Sequence, residues 1–284
     1  MKIITTISEM QDYSDRLRHQ GDRIGFVPTM GFLHEGHLSL MRKAREENHT
    51  LVVSIFVNPT QFGPEEDYDS YPRDLEKDAS LCRELGCDVL FTPASDEMYP
   101  EGSVTKVSVA GMTETLCGAS RPGHFDGVTT VVCKLFNIVR PHAAYFGLKD
   151  YQQYRVLFQM VQDLDMNIRI VGLPTIREED GLAMSSRNAY LYDDERSGAL
   201  TLSRSLDAAR EMVREGIRDP RAIEQKVTGI IESEPTTRID YVSVVDADDL
   251  TPLSTIDERA LLALAVFVGD ARLIDNAVLE INGN

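Results

Sequence analysis

Two histidines at a spacing of three are the residues of this sequence best suited to chemistry. His34 and His37 lie in residues 27–38, VPTMGFLHEGHL, between an apolar run and a helical pattern. On the first turn of a helix their imidazoles lie on one side, where both can donate to phosphate oxygens and stabilise growing charge. Gly31 and Gly36 let the main chain approach a ligand, and the N–H groups at a helix start favour anions. The segment therefore predicts a phosphate-binding turn.

The spacing argues against two better-known motifs. A Walker A loop would need Lys and then Ser or Thr after Gly36, but His37 and Leu38 follow. A zincin helix needs two histidines four residues apart, and these are three apart. A single histidine is more often structural than catalytic, yet two of the six in this chain share one strand–turn–helix context. That clustering favours a functional role.

Three other segments carry side chains that bind phosphates or hydroxyls. In GLKDYQQ, Lys149 supplies a charge for phosphate, Asp150 can accept from ribose hydroxyls, and Gln153 can bond a hydroxylated substrate. In MSSR, residues 184–187, two hydroxyls and an arginine can clamp terminal phosphates. In VNPTQF, Gln61 follows a dense apolar run and would face the same crevice. A helix cap explains the first two segments equally well, and a strand-ending turn explains the third.

Other polar residues receive a plainer interpretation. Acidic residues at 67, 69, 74 and 78 could ligate magnesium, but acidic clusters are usually solvated surface. The segment PGHF at residues 122–125 predicts loop geometry, with His124 at the border of the site. The run DADD at residues 246–249 predicts a solvated turn.

The elements that must position these segments alternate between strand and helix patterns. Apolar, β-branched runs predict strands at 24–28, 51–57, 88–91, 143–147 and 168–172. Polar segments with apolar residues at helical spacing predict helices at 8–20, 36–47, 75–85, 129–139 and 152–164. This alternation indicates an α/β fold with a doubly wound, Rossmann-like parallel sheet over residues 1–174. Such sheets bind ligands beyond the carboxyl ends of their strands.

The pattern changes after Pro174. Residues 193–215 and 219–233 predict two helices, and residues 238–245 and 261–268 alternate like paired strands. We therefore expect residues 175–284 to form a smaller α+β domain with an antiparallel sheet.

Composition and charge exclude several classes of protein. The 284 residues carry a net charge of −17, and an acidic field repels phosphate backbones, which disfavours nucleic-acid and membrane-surface binding. A local basic pocket still permits a small anionic ligand. Free thiols, a short apolar start and no run of about 18 apolar residues favour a cytoplasmic protein without membrane spans. No C-x-x-C pair, as in a zinc ribbon or thioredoxin site, occurs among Cys82, Cys87, Cys117 and Cys133.

These and other short segments run in order through nearly the whole chain. They are PTMG with HEGH at residues 28–37, FVNP with QF at 56–62, YPR at 71–73, SRPGHF with GV at 120–128, FG with KDYQQ at 146–153, DGLAMSSRN at 180–188 and GDARLIDN at 269–276. The combination resembles the pantoate–β-alanine ligase family and is highly specific. The two-histidine turn alone would indicate only the nucleotidylyltransferase superfamily, which includes class I aminoacyl-tRNA synthetases.

The resemblance implies an ATP-dependent ligase of the coenzyme A pathway. The carboxylate of (R)-pantoate would attack the α-phosphate of ATP, giving pantoyl adenylate and pyrophosphate, and the β-alanine amine would then displace AMP to give pantothenate. ATP and Mg2+ are the implied cofactors. The implied partners are the small substrates and a second copy of the chain in a homodimer. The smaller domain would close over the active site and keep water from the adenylate.

The resemblance also implies roles for single residues. Catalysis would fall to His37 first, then to His34 and Lys149, while pantoate or β-alanine would bind Gln61 and Gln153. Asp78 would contact magnesium. The implied ATP-binding residues are Met30, Gly31, His34, Gly36, His37, Gly147, Leu148, Lys149, Asp150, Ile176, Met184, Ser185, Ser186 and Arg187.

The chain departs from the family pattern at two positions. Family members commonly have Glu where this chain has Leu148, which removes an acidic contact. Some have adjacent acids where this chain has Lys77 and Asp78, which weakens the magnesium contact expected of Asp78.

Three other hypotheses stay open on the sequence. A nucleotidylyltransferase would release an adenylylated product, and formation of AMP with an amide would exclude it. A non-catalytic nucleotide-binding protein would bind ATP without turnover. A metal hydrolase using His34 and His37 would act without ATP and contain stoichiometric transition metal.

Overall fold

A computed structural model describes residues 1–64 and 66–281 of the chain, which divide into two compact units. The first unit contains Met1–Ala110, Arg121–Leu148 and Val156–Pro174. The second contains Gly111–Ser120, Lys149–Arg155 and the residues from Thr175 onward. The last passage between units lies between Pro174 and Thr175. The two earlier segments belong to the second unit because their hydrogen bonds join them to one another and to its strands.

Six parallel strands form the sheet of the first unit, in the order β1-β4-β3-β2-β5-β6. Their bounds are β1 Lys2–Ile4, β2 Ile24–Thr29, β3 Thr50–Ile55, β4 Val89–Phe91, β5 Ala143–Gly147 and β6 Arg169–Leu173. Strand β3 is buried over most of its length, as its β-branched sequence predicts for a central parallel strand.

Helices alternate with these strands. They are α1 Ile7–Gln20, α2 Glu35–Glu47, α3 Leu75–Glu84, α4 Ser95–Met98, α5 Cys117–Ser120, α6 His124–Val139 and α7 Tyr151–Asp163, with 3₁₀ turns at Pro59–Gln61 and Leu148–Asp150. Local sequence sets the ends of α1, because the Thr6 side chain accepts from the N–H of Glu9 and Gly21 adopts φ 82°. Apolar side chains of α2, α3 and the strands share one buried cluster, which includes Met41, Val53 and Cys82.

The second unit contains a three-stranded antiparallel sheet in the order β7-β8-β9. Besides α5 and the start of α7, its elements are a 3₁₀ turn Ser186–Tyr190, α8 Arg196–Arg214, α9 Pro220–Ile231, β7 Thr237–Asp246, β8 Arg259–Val268 and β9 Ala271–Glu280. One cluster of buried side chains joins both helices to the sheet, for example Leu206, Ile223 and Leu264.

The predicted fold class is confirmed, with differences in three elements. Strand β1 is too short to give a pattern, and β9 carries buried polar residues, Asp275 and Asn276, that obscure its alternation. Helix α6 begins at His124, although its glycine-rich first turn predicts a loop. Within the described ranges, no helix is both long and apolar enough to cross a membrane.

Candidate active site

The carboxyl edge of the parallel sheet positions the predicted site residues of the first unit. Strands β2 and β5 are neighbours, and the chain continues from β2 to β3 on one side and from β5 to β6 on the other. Such a divergence is a topological switch point, where α/β sheets bind ligands. The histidine loop follows β2, and Gly147 ends β5. A Cβ built on Gly147 meets no atom within 4 Å, so the backbone is accessible there.

The loop between β2 and α2 has a strained backbone that its neighbours hold in place. Gly31 and Phe32 have positive φ angles of 85° and 50°, a region that costs a non-glycine residue about 1–2 kcal/mol. The carboxylate of Asp78, on α3, accepts the N–H groups of Phe32 and Leu33, each at 2.8 Å. The Thr29 hydroxyl accepts the N–H of Gly31 at 3.1 Å. These bonds order the loop without a ligand.

His34 and His37 together cap the first turn of α2. Nδ1 of His34 accepts the N–H of Gly36 at 3.2 Å, and Nδ1 of His37 accepts the N–H of His34 at 3.4 Å. A ring nitrogen that accepts a hydrogen bond carries no proton, so each neutral imidazole has its proton on Nε2. The ring centroids are 4.2 Å apart. The cap therefore gives both side chains the donor tautomer that phosphate oxygens require.

The main-chain amides of this loop are less available than the sequence suggests. Helix starts usually offer N–H groups to anions, but six amides here already donate within the protein. The donors and acceptors are Gly31 to Thr29, Phe32 and Leu33 to Asp78, His34 to His37, Gly36 to His34, and His37 to the carbonyl of His34. These six amides are therefore occupied within the protein, and the use of this loop for phosphate stays a prediction.

The surroundings of Asp78 do not fit the magnesium role predicted for it. Its side chain is 1% exposed, and each carboxylate oxygen already accepts a backbone N–H. Burial raises the pKa of Asp78 above its ordinary value, although the two N–H groups oppose that shift. Among residues 1–64 and 66–281, no three His, Cys, Asp or Glu side chains are grouped to hold a metal ion.

Gln61 and Met30, two predicted site residues, come into contact. Nε2 of Gln61 donates to Sδ of Met30 at 3.0 Å, and its Oε1 accepts from the Asn58 amide at 3.2 Å. Asn58 is itself fixed, because it donates to the carbonyl of Gly127 and accepts from the hydroxyl of Tyr99. Asn58 thereby sets which end of the Gln61 amide is the donor. The asparagine stands in the predicted VNPTQF segment, but its orienting role was missed.

An arginine and a histidine on another segment hold the main chain of Gln61. Nδ1 of His124 lies 2.7 Å from the Gln61 carbonyl oxygen, and the Arg121 guanidinium donates to that oxygen at 3.2 Å. Arg121 also pairs with Glu66. Burial raises the pKa of Glu66, but the hydrogen bond and charge of Arg121 outweigh it, so the pKa lies below its ordinary value. His124 and Arg121 therefore both hold the backbone of Gln61, and no role for Arg121 was predicted from the sequence.

Lys149 is held by its backbone in the second unit. Its carbonyl accepts from the side-chain amide of Asn276 at 2.7 Å. Asn276 follows Asp275, which is 2% exposed and forms a bidentate ion pair with Arg177 at 2.6 and 3.0 Å. Lys149, Ser185 and Asp275 line one small cleft. The Lys149 ammonium forms no ion pair with the residues that the structure describes, so a cation is available to a ligand.

The MSSR segment forms a supported turn beside that lysine. The hydroxyl of Ser185 accepts the N–H of Arg187 at 3.3 Å, and the N–H of Met184 donates to the carbonyl of Ile176 at 2.9 Å. Asn188 fastens the turn by donating to Glu178 and to the carbonyl of residue 183. The Ser185 hydroxyl therefore acts as a cap, and the use of this segment for phosphate stays a prediction.

The remaining predicted residues lie on α7 and the turn before it. Leu148 and Asp150 belong to the 3₁₀ turn, and Asp150 is exposed. Gln153 is half-buried. The neighbouring Gln152 is the structural one, since its amide donates to the carbonyls of Met112 and Thr115 at 2.8 Å.

Known proteins are similar to this chain over nearly its whole length. The family model for pantoate-beta-alanine ligase matches residues 2–278. This chain belongs to the pantoate–β-alanine ligase family. The pantothenate synthetase of Moorella thermoacetica is 55% identical over 282 residues, which cover 99% of this chain and 100% of that one. The family expected from the sequence is therefore confirmed.

Solved structures of pantoate–β-alanine ligases have the same fold. The pantothenate synthetase of Thermus thermophilus has 47% identity and a TM-score of 0.92, covering 98% of this chain and 99% of that one. A pantoate–β-alanine ligase from Francisella tularensis, complexed with beta-gamma ATP and beta-alanine, has 36% identity and a TM-score of 0.79. It covers 98% of this chain and 97% of that one.

Replacing Asp275 by alanine is expected to lower the free energy of unfolding by about 3 kcal/mol, because the half-buried Arg177 loses its partner. Urea denaturation measures the change. The matched control is Glu211→Ala, which breaks an exposed pair with Arg214 on α8 and is expected to change stability by less than about 1 kcal/mol. Equal losses in the two variants would contradict the structural role given to Asp275 in this family member.

Proposed function

We propose that this chain condenses (R)-pantoate with β-alanine, forming pantothenate, AMP and pyrophosphate through a pantoyl-adenylate intermediate. The observation that carries the proposal is the mutual cap of His34 and His37 at the switch point of the sheet. It presents two Nε2–H donors on one turn, as a reaction at a phosphate needs. The Francisella relative complexed with ATP and β-alanine supports the same substrates here.

In the first step the pantoate carboxylate attacks the α-phosphate, and pyrophosphate leaves. Such transfers need positioning and charge neutralisation more than covalent help from the protein. His37 and His34 would donate to phosphate oxygens as charge grows on them. Lys149 supplies a cation that has no ion pair with the described residues. Ser185, Ser186 and Arg187 would hold the remaining phosphate oxygens.

The other predicted ATP-binding residues would line the adenosine side. Residues of the β2–α2 loop are Met30, Gly31 and Gly36, and those of the later segments are Gly147, Leu148, Asp150, Ile176 and Met184. ATP enters such reactions as its magnesium complex. Because the Asp78 environment does not fit a metal ligand, the magnesium ion is treated as part of this substrate.

Pantoate would be recognised by the two glutamines. Asn58 orients the Gln61 amide so that its donor end faces Met30, and Gln153 would bind the hydroxyls or the carboxylate of pantoate. Paired polar contacts of this kind reject analogues that lack the bonded group. In the second step the β-alanine amine attacks the acyl carbon, and AMP, a good leaving group, departs.

We further propose that the enzyme works in the cytoplasm as a homodimer. Four free cysteines support a reducing compartment, and the net charge of −17 supports small-molecule substrates over nucleic acid. Size-exclusion chromatography with light scattering measures the mass directly, against 31.8 kDa for one chain.

The deciding experiment is exchange of labelled pyrophosphate into ATP, with magnesium and without β-alanine. We expect exchange that requires pantoate, because formation of the acyl adenylate is reversible. Exchange without pantoate would indicate a different adenylate acceptor and contradict the proposal. If exchange is absent, β-alanine is added and AMP is measured. AMP with pantothenate would support a concerted ligase, and ATP binding without AMP would overturn the enzymatic function.

A further inference from the structure

The β2–α2 loop rests on a carboxylate that has no role in the reaction as proposed above. Asp78 lies on α3, 46 residues from Phe32 in sequence, and its two oxygens accept the N–H groups of Phe32 and Leu33. His34, the N-cap of α2, follows directly. We propose that Asp78 is a positioning residue that fixes this loop and thereby orients the two catalytic histidines. This inference rests on the proposed function only for the catalytic role of the two histidines.

The loop backbone needs an external partner. Gly31 and Phe32 have positive φ angles in succession, and in this turn the N–H groups of Phe32 and Leu33 both point to one carboxylate, as the backbone amides of a turn do in an anion-binding nest. A phenylalanine does not favour this conformation by itself. In many proteins such a nest receives a substrate phosphate. Here the protein's own carboxylate fills it.

The packing around Asp78 leaves the carboxylate little freedom. A Cβ placed on Gly31 would lie 3.0 Å from Oδ2 of Asp78 and 3.0 Å from Cγ2 of Ile55. The ammonium of Lys77 lies over the ring of Phe32, 5.8 Å from its centre. The loop is therefore held between α3 and β3. A shift of Asp78 would move Leu33 and then the cap made by His34.

The two oxygens of Asp78 act as separate acceptors, and this makes the site sensitive to an isosteric change. In Asp78→Asn one acceptor becomes an NH₂ group that faces a backbone N–H, so one of the two bonds is lost and two donors oppose each other. The side-chain volume is unchanged. The substitution therefore tests the hydrogen bonds without opening a cavity.

The test combines ring-nitrogen NMR with kinetics on the whole protein. In the wild type, long-range ¹H–¹⁵N spectra are expected to give His34 and His37 as Nε2–H tautomers with an unprotonated Nδ1. In Asp78→Asn we expect the two rings to average between tautomers. We also expect kcat of pantoate-dependent exchange to fall about a hundredfold, because displacing a catalytic group by about 1 Å costs about that factor in rate. The KM for ATP should change little.

Magnesium titration separates a positioning residue from a metal ligand. A positioning role predicts the same magnesium dependence in Asp78→Asn as in the wild type, at the lower kcat. Recovery of activity at high magnesium would overturn the proposal, and so would unchanged histidine spectra together with normal kcat. The spectra need no substrate. An inactive wild type would therefore overturn the proposed function while the test of Asp78 still stands.

Asp74→Asn is the matched control. Asp74 is the exposed N-cap of the same helix, and its carboxylate accepts the N–H of Lys77 at 3.0 Å. This variant weakens α3 without touching the loop, so histidine spectra and kcat should stay as in the wild type. A similar loss in Asp74→Asn would assign the effect to helix stability and overturn the proposal. If Asp78→Asn does not fold, it is measured in a Phe32→Gly background, which removes the strained side chain, against Phe32→Gly alone.

Discussion

Replacing His37 by alanine is expected to lower pantoate-dependent pyrophosphate exchange by about a hundred- to a thousandfold. That is the usual loss when one preorganised donor to a growing oxyanion is removed. The variant also loses the bond from the N–H of His34 to His37, a capping contribution of about 1 kcal/mol. The protein should remain folded, and circular dichroism with thermal unfolding checks this.

A matched substitution distinguishes the chemical loss from a general one. His19 is exposed in the last turn of α1, so His19→Ala should leave exchange unchanged. His37→Gln retains an N–H donor and should recover part of the lost rate. Near-normal exchange in His37→Ala would rule out the donor role assigned to this imidazole.

Replacing Gly127 by alanine is the second change with a large expected effect. A Cβ at this position would lie 2.3 Å from the carbonyl oxygen of Thr60 and 2.7 Å from Cα of Gln61. These are backbone atoms of the turn that carries the predicted pantoate glutamine, so the turn must move. A displacement of about 1 Å costs about a hundredfold in rate when it misplaces a reacting group. We expect kcat/KM for pantoate to fall by this factor.

Gly229 provides a control of the same chemistry. It lies inside α9, where an added Cβ meets no atom within 4 Å. Gly229→Ala should therefore stabilise the protein by about 0.5–1 kcal/mol and leave the kinetics unchanged. The interpretation fails if Gly127→Ala binds pantoate normally. It also fails if the affinity for ATP falls as much as kcat/KM for pantoate, because equal losses would indicate a general structural defect.

Much of the fold could be predicted from local pattern. The strand Ala143–Gly147 has both predicted ends, and the helix α3 begins at the predicted residue, Leu75. Both were predictable because burial against a sheet or along one helix face selects residue types at short, regular spacing. Helix α6 begins five residues earlier than predicted. Its Gly127 looks like a loop residue in sequence, but the close approach of the turn at residue 60 requires a glycine there.

The sequence by itself determined the family and the chemical groups of the candidate site. The histidine pair, the lysine after β5 and the MSSR turn are each defined by residue type and spacing, which need no tertiary information. Only the tertiary structure decided what those groups can bind. It assigned the amides of Phe32 and Leu33 to Asp78, and it tied Gln61 to Arg121, 60 residues away. Hydrogen bonds between residues so distant in sequence leave no local pattern, because folding alone brings the partners within reach.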